Sequence, residues 1–278
     1  MIIKAIHIEV VSDLSTEEFL GALQRFIARR GKPQSIYSDN GTNFQGVKGE
    51  LNKLHELFQS ERFKNKIFNF TSCIGVDFHF IPPSSPHFGG LWEAGVKSYK
   101  HHFKWVASNA LFTFEEFYTL CVEIESILNS RPLSPISTDI NDISALIPEH
   151  FLIGDSFTYL PEPDLLPLPS NRLSSWQLFS KVRQDFWKRW STEYLNELNV
   201  RQKWRSDIKN PKIGMLVLLK EDNMPCMQWP LARIHELHPG NDGIVRTVTL
   251  KSANRMLKRP VRKIAVLPIN CYDVENKC

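Results

Sequence analysis

Two hydrophobic periods alternate along the chain, and each predicts its own kind of element. The run IIKAIHIEVV (2–11) is almost continuously apolar, rich in β-branched residues and too short for an ordinary helix, which predicts a buried strand. Behind it, Ser15-Thr16-Glu17-Glu18 fits a capping box with Ser15 as N-cap. Phe19, Leu23, Phe26 and Ile27 then recur at helical spacing until Gly31 and Pro33 stop them. Ile36-Tyr37-Ser38 resumes the extended pattern, making a strand, helix, strand unit whose closure is a right-handed crossover into a parallel pair. A helix is expected over 47–58, and Val76-Asp77-Phe78-His79-Phe80-Ile81 alternates as a half-buried strand. PPSSPHFGG (82–90) reads as a loop. Trp92, Val96, Tyr99, Phe103 and Val106 form the apolar stripe of a helix from Leu91 to about Ala107, and Thr113-x-x-Glu116 opens another that runs to Asn129, ahead of Arg131-Pro132.

Proline then becomes frequent, and LPEPDLLPLP (160–169) has the look of an extended linker. Trp176, Phe179, Val182, Phe186 and Trp190 repeat on one face of an amphipathic helix, a stripe that reads as packing or a seam between copies rather than a platform for stacked bases. GMLVLLKED, WPLARIHEL, GIVRTVTLK and KIAVLPI predict four short strands separated by turns, a small β-barrel pattern. The expected organisation is therefore an α/β core over 1–146, a Pro-rich linker over 147–173, a helix over 174–206 and a small all-β module over 207–278.

Charge changes this picture by separating the two ends. The net charge is +4, but residues 201–278 carry 15 Lys and Arg against 7 Asp and Glu, net +8, which leaves the rest of the chain at −4. A basic end on an acidic chain points to a polyanion, with nucleic acid the first candidate. Arg246, Lys251, Arg255, Lys258, Arg259, Arg262 and Lys263 crowd the last predicted hairpin. The five cysteines are scattered and never form C-x-x-C, so neither a disulfide framework nor a zinc site is signalled. MIIKAIHIEVVSDLS lacks the small-residue site that follows a secretory leader, and no apolar stretch reaches transmembrane length. An unsecreted protein with no membrane partner is expected.

Two carboxylates carry the candidate chemistry. In SIYSDNGTNF (35–44), Asp39 either belongs to an Asp-Asn-Gly turn or is a carboxylate held at the C-terminal end of a parallel strand, where ligands gather in α/β sheets. Glu93 falls on one side of its predicted helix with Lys97, Lys100 and Lys104, either as a solvated face or as one acid with three bases. The loop before Glu93 returns the chain to the edge where the Asp39 strand ends. Two carboxylates meeting there suit Mg²⁺ or Mn²⁺, which take oxygen ligands and are commonly held by one or two carboxylates plus substrate phosphate.

YSDNGTNF around Asp39, PPSSPHFGGLWEAGVKSYK around Glu93, ILNSRPLSP, and the stretch from GMLVLLKED to KIAVLP together resemble the integrases of retroviruses and retrotransposons, most closely those of Pao/BEL elements. The resemblance covers nearly the whole chain. It implies an RNase H-like core followed by an SH3-like barrel that helps to bind DNA, and an activity of metal-dependent phosphoryl transfer joining element ends to target DNA. It also implies a homo-oligomer working in the nucleus. Asp39 matches the second and Glu93 the third member of the family's Asp, Asp, Glu triad, both as ligands of Mg²⁺ or Mn²⁺. Lys97 and Lys100 match lysines that approach element-end DNA, and Lys104, a turn further on the same face, is a further DNA-binding candidate. The family's first Asp lies on a strand expected upstream of Met1, and its zinc-binding His/Cys domain is not found here. The core is thus expected to be N-terminally incomplete and the chain inactive as it stands. The alternative is a non-catalytic DNA-binding or assembly protein.

Overall fold

The computed structural model describes residues 3–13, 15–38, 60–80, 86–107, 111–156, 161–205, 211–222 and 224–268, with the backbone alone over 86–94 and 200–205. They fall into two compact units, His7–Ser98 and, separately, Met1–Ile6 with Tyr99–Cys278.

In the first unit, α1 (Thr16–Arg30) starts where the capping signal puts it. The Ser15 side chain accepts from the Glu18 N–H at 3.2 Å, and Gly31 closes the helix at a φ of 85°, which glycine takes without a Cβ clash. β1 (Ser35–Ser38) pairs in parallel with β2 (Asp77–Phe80), in the register Ser35↔Asp77 to Ser38↔Phe80. α2 (Glu61–Cys73), capped by Ser60, lies between them in sequence and buries Phe63 and Ile67 against Phe78, with Ile36, Phe19 and Phe80 around them. Tyr37 and His79, paired in register, stack at 4.9 Å, and Tyr37 stays exposed. The expected helix over 47–58 lies outside the described residues.

The strand expected over 2–11 is a correction. Residues 4–11 join no sheet among the described residues. A strand needs a ladder neighbour as well as propensity, and at Ile6 a side-chain amide takes the neighbour's place: the Ile6 N–H donates to Asn129 Oδ1 at 2.8 Å, and Asn129 Nδ2 donates back to the Ile6 carbonyl at 2.7 Å. Asn129 is fully buried. Asn129→Ala removes both bonds and is expected to lower stability in urea by about 1–3 kcal/mol. A loss below about 0.5 kcal/mol, the level of a neutral surface change, would show that water replaces the amide.

A second correction concerns PPSSPHFGG. α3 (Pro86–Val106) begins inside it, because proline fits the first turn of a helix, where its missing N–H would be unpaired anyway. Val96 is also exposed, so the apolar stripe is buried only in part.

In the second unit, α4 (Phe114–Asn129) carries the full capping box, with Thr113 and Glu116 bonding each other's backbone. A two-stranded hairpin, β3 (Ser134–Pro135) with β4 (Ala145–Leu146), and a short helix, α5 (Glu149–Ile153), follow. The Pro-rich stretch, expected as an extended linker, is tied down instead: Leu165 is buried, and its N–H donates to Gln184 Oε1 at 2.9 Å. Gln184 lies on α6 (Ser175–Arg205), where Phe179, Val182, Phe186 and Trp190 of the expected stripe are buried and Trp176 is exposed; Trp187, Trp190 and Tyr194 are each in ring contact with Trp229.

The C-terminal sheet has five strands: β5 (Leu216–Leu219), β6 (Leu231–Pro239), β7 (Val245–Lys251), β8 (Met256–Pro260) and β9 (Ile264–Val266). They lie antiparallel in the order β8-β7-β6-β5-β9. β5 is apolar throughout because both its faces are covered. Val217 and Leu219 enter the sheet's own core with Ile234, Val248 and Leu250, while Leu216 and Leu218 pack with Leu198 and Tyr194 of α6. The strand absent from the sequence-based expectation is β8, a charged edge strand with little apolar alternation to reveal it. Buried Arg233 on β6 donates to the carbonyls of Gly214, Ser137 and Asp142, which fastens the β3–β4 loop to this sheet.

Candidate functional site

The parallel pairing of β1 and β2 gives the two strands a common C-terminal end. Ser38 and Phe80, their last residues, are register partners. Asp39 follows Ser38 directly and lies outside the described residues. α3 begins six residues beyond Phe80, and Glu93 belongs to it; its side chain too lies outside what is described. Because the pair is parallel, the chain leaves β1 and β2 at the same end of the sheet. Asp77 sits at the opposite end of β2 and belongs to a different edge.

Lys97 in the first unit is exposed, as are Lys100 and Lys104 in the second. The basic residues of the C-terminal sheet divide into two groups. Arg246 is held by Asp242 through two bonds of 2.9 and 2.6 Å, a pairing that pulls the Asp242 carboxyl down to about 2. Arg259 reaches Glu221 at 3.3 Å, and Lys251 donates to the Asn141 side chain at 2.7 Å. Lys258, Arg262 and Lys263 are exposed and form no ion pair among the described residues. These three, on β8 and in the 3₁₀ turn after it (Val261–Lys263), join Arg255 in the turn before β8, also exposed, as cations placed to meet a phosphate backbone.

Two groups of chemistry-bearing residues were not legible in the sequence. Arg183 on α6 is buried between Glu123 and Glu162, donating to Glu123 at 2.6 Å and also to Glu162. Burial pushes the Glu123 carboxyl up, with Arg183 opposing it. The nearby Cys226 thiol is pushed up to about 12 by burial, so it is an inert packing group. Separately, His101 and His102 of α3 and Glu193 of α6 bring their ligating atoms within 4.8 Å of one another. One signal for that group was available: His102 falls three residues after Tyr99, on the side of the helix that carries the apolar stripe.

Residues 174–267, which span α6 and the five-stranded sheet, match a family model described as a family of unknown function, DUF5641. No curated protein matches the chain. Among solved structures, the chain is similar to one from the simian T-cell lymphotropic virus intasome in complex with the PP2A regulatory subunit B56 gamma. The likeness covers 92% of this chain and 66% of that one, at 12% identity and a TM-score of 0.33. The chain thus spans just under two thirds of that relative's length, and a likeness of this degree is too slight to establish a shared fold.

Proposed function

We propose that this chain is a DNA-binding protein of the integrase type, with an RNase H-like core over 1–146 and a basic SH3-like module over 207–278. The observation that carries the reading is the parallel β1–β2 pair, from whose common end the chain leads to Asp39 on one side and to the helix of Glu93 on the other. The quoted motifs supply the rest of the support, because they hold these two carboxylates in the family's order.

The donor set fits a hard divalent cation. Two carboxylates plus oxygens from a DNA phosphate are a common way to hold Mg²⁺, and Mn²⁺ accepts the same ligands. Asp39 and Glu93 would hold the ion, which when bound polarises a phosphodiester for attack by a hydroxyl. Lys97 and Lys100 would fix the DNA backbone beside it, and Lys258, Arg262 and Lys263 would add affinity without reading sequence. Element ends and target DNA are the substrates of this reading, and the nucleus is its compartment.

The DNA half of the proposal is tested with the full chain and a labelled duplex by fluorescence anisotropy at several salt concentrations. Affinity is expected to fall steeply with salt. Lys258→Glu, Arg262→Glu and Lys263→Glu together should weaken binding at least about tenfold at low salt and flatten the salt slope by up to about 2.7, since each phosphate contact contributes roughly 0.9. The thermal transition should not move, because all three side chains are exposed. Equal affinity and slope in the variant would remove DNA binding from this module.

A further inference from the structure

His102 is 2% exposed, yet among the described residues neither of its ring nitrogens has a hydrogen-bond partner. Nε2 lies 3.1 Å from Glu193 Oε2, a close approach whose angles are not those of a hydrogen bond. A buried polar atom left unpaired costs about 1–3 kcal/mol, and natural proteins keep such atoms where an ion or water completes them. The ring is enclosed edge-on by Phe186 at 5.7 Å and by His101 at 5.1 Å.

We infer that His101, His102 and Glu193 form a binding site for a divalent transition metal, with Zn²⁺ the best match. Two imidazoles and one carboxylate are a recognised Zn²⁺ donor set with an open fourth position for water, and borderline imidazole donors select against Mg²⁺ and Ca²⁺. With Zn–N near 2.0 Å, ligand atoms around a tetrahedral ion stand roughly 3.3 Å apart. The His102–Glu193 pair already has that spacing, at 3.1 Å. All the ligand atoms in the group lie within 4.8 Å of one another, and His101, being exposed, is free to rotate inward. Glu193 is about half exposed, which leaves an entry path from solvent. All three ligands belong to one compact unit, and the ion would clasp α3 to α6. This site is separate from the Asp39 and Glu93 edge and does not depend on it.

The full chain is stripped with EDTA and titrated with Co²⁺, whose visible absorption reports an N/O site of low coordination, and with Zn²⁺ by calorimetry. Both are done with Asp39→Asn and Glu93→Gln in place, so that the other carboxylates do not contribute. One equivalent is expected to bind, and His101→Ala and Glu193→Gln should each weaken it at least about tenfold. Both of those side chains are exposed, so these variants keep the test valid even where His102→Ala fails to fold. Failure of Co²⁺ and Zn²⁺ to bind, or an affinity unchanged in both variants, would overturn the site and leave His102 and Glu193 as a contact between helices.

Discussion

Arg183→Ala is expected to lower the unfolding free energy by about 3 kcal/mol, the lower end of the cost of breaking a buried ion pair from one side. The guanidinium is 8% exposed and lies between Glu123 and Glu162, which are 28% and 23% exposed. Removing it takes the buried guanidinium away from both carboxylates at once. Their partial exposure is why the lower end of the range applies. The loss depends on pH in a defined direction. Burial raises the folded Glu123 carboxyl above its unfolded value while Arg183 lowers it, so without Arg183 it rises further. A raised carboxyl binds protons more tightly folded than unfolded, so stability falls as pH rises from about 4.3 through the raised folded value. The variant should therefore recover part of its loss when urea unfolding is repeated near pH 5 instead of pH 8. A loss under about 1 kcal/mol, or one larger at pH 5, would mean that the cluster is screened like a surface pair.

What the sequence revealed about this protein were the features coded locally. Ser15 and Thr113 announce α1 and α4 because an N-cap needs only its own next three residues, and LVLL announces β5 because a doubly covered strand is apolar at every position. What it concealed depends on residues far along the chain. Residues 2–11 have strand propensity, but Asn129, more than a hundred residues away, occupies the ladder position at Ile6. β8 carries Lys258 and Arg259 because it is an edge, so its apolar signal is thin. Arg183 looks like any surface arginine of an amphipathic helix until Glu123, 60 residues earlier, is folded against it. His102 is the intermediate case, since its place beside the apolar stripe could be read and its proximity to Glu193 could not.

In the proposed function, Asp39 and Glu93, far apart in sequence, serve one metal ion on DNA. Each would supply part of a small oxygen set in the proposed site, so losing either should cost at least the tenfold to hundredfold seen when a metal site loses supporting groups. Losing either should leave the duplex held by lysines and arginines. Mn²⁺ uptake by the DNA-bound full chain, followed by electron paramagnetic resonance with Glu193→Gln present to silence the histidine site, measures this directly. The account predicts that Asp39→Asn and Glu93→Gln each weaken Mn²⁺ binding at least about tenfold while duplex affinity in EDTA stays unchanged. Wild-type Mn²⁺ affinity in either variant would contradict it.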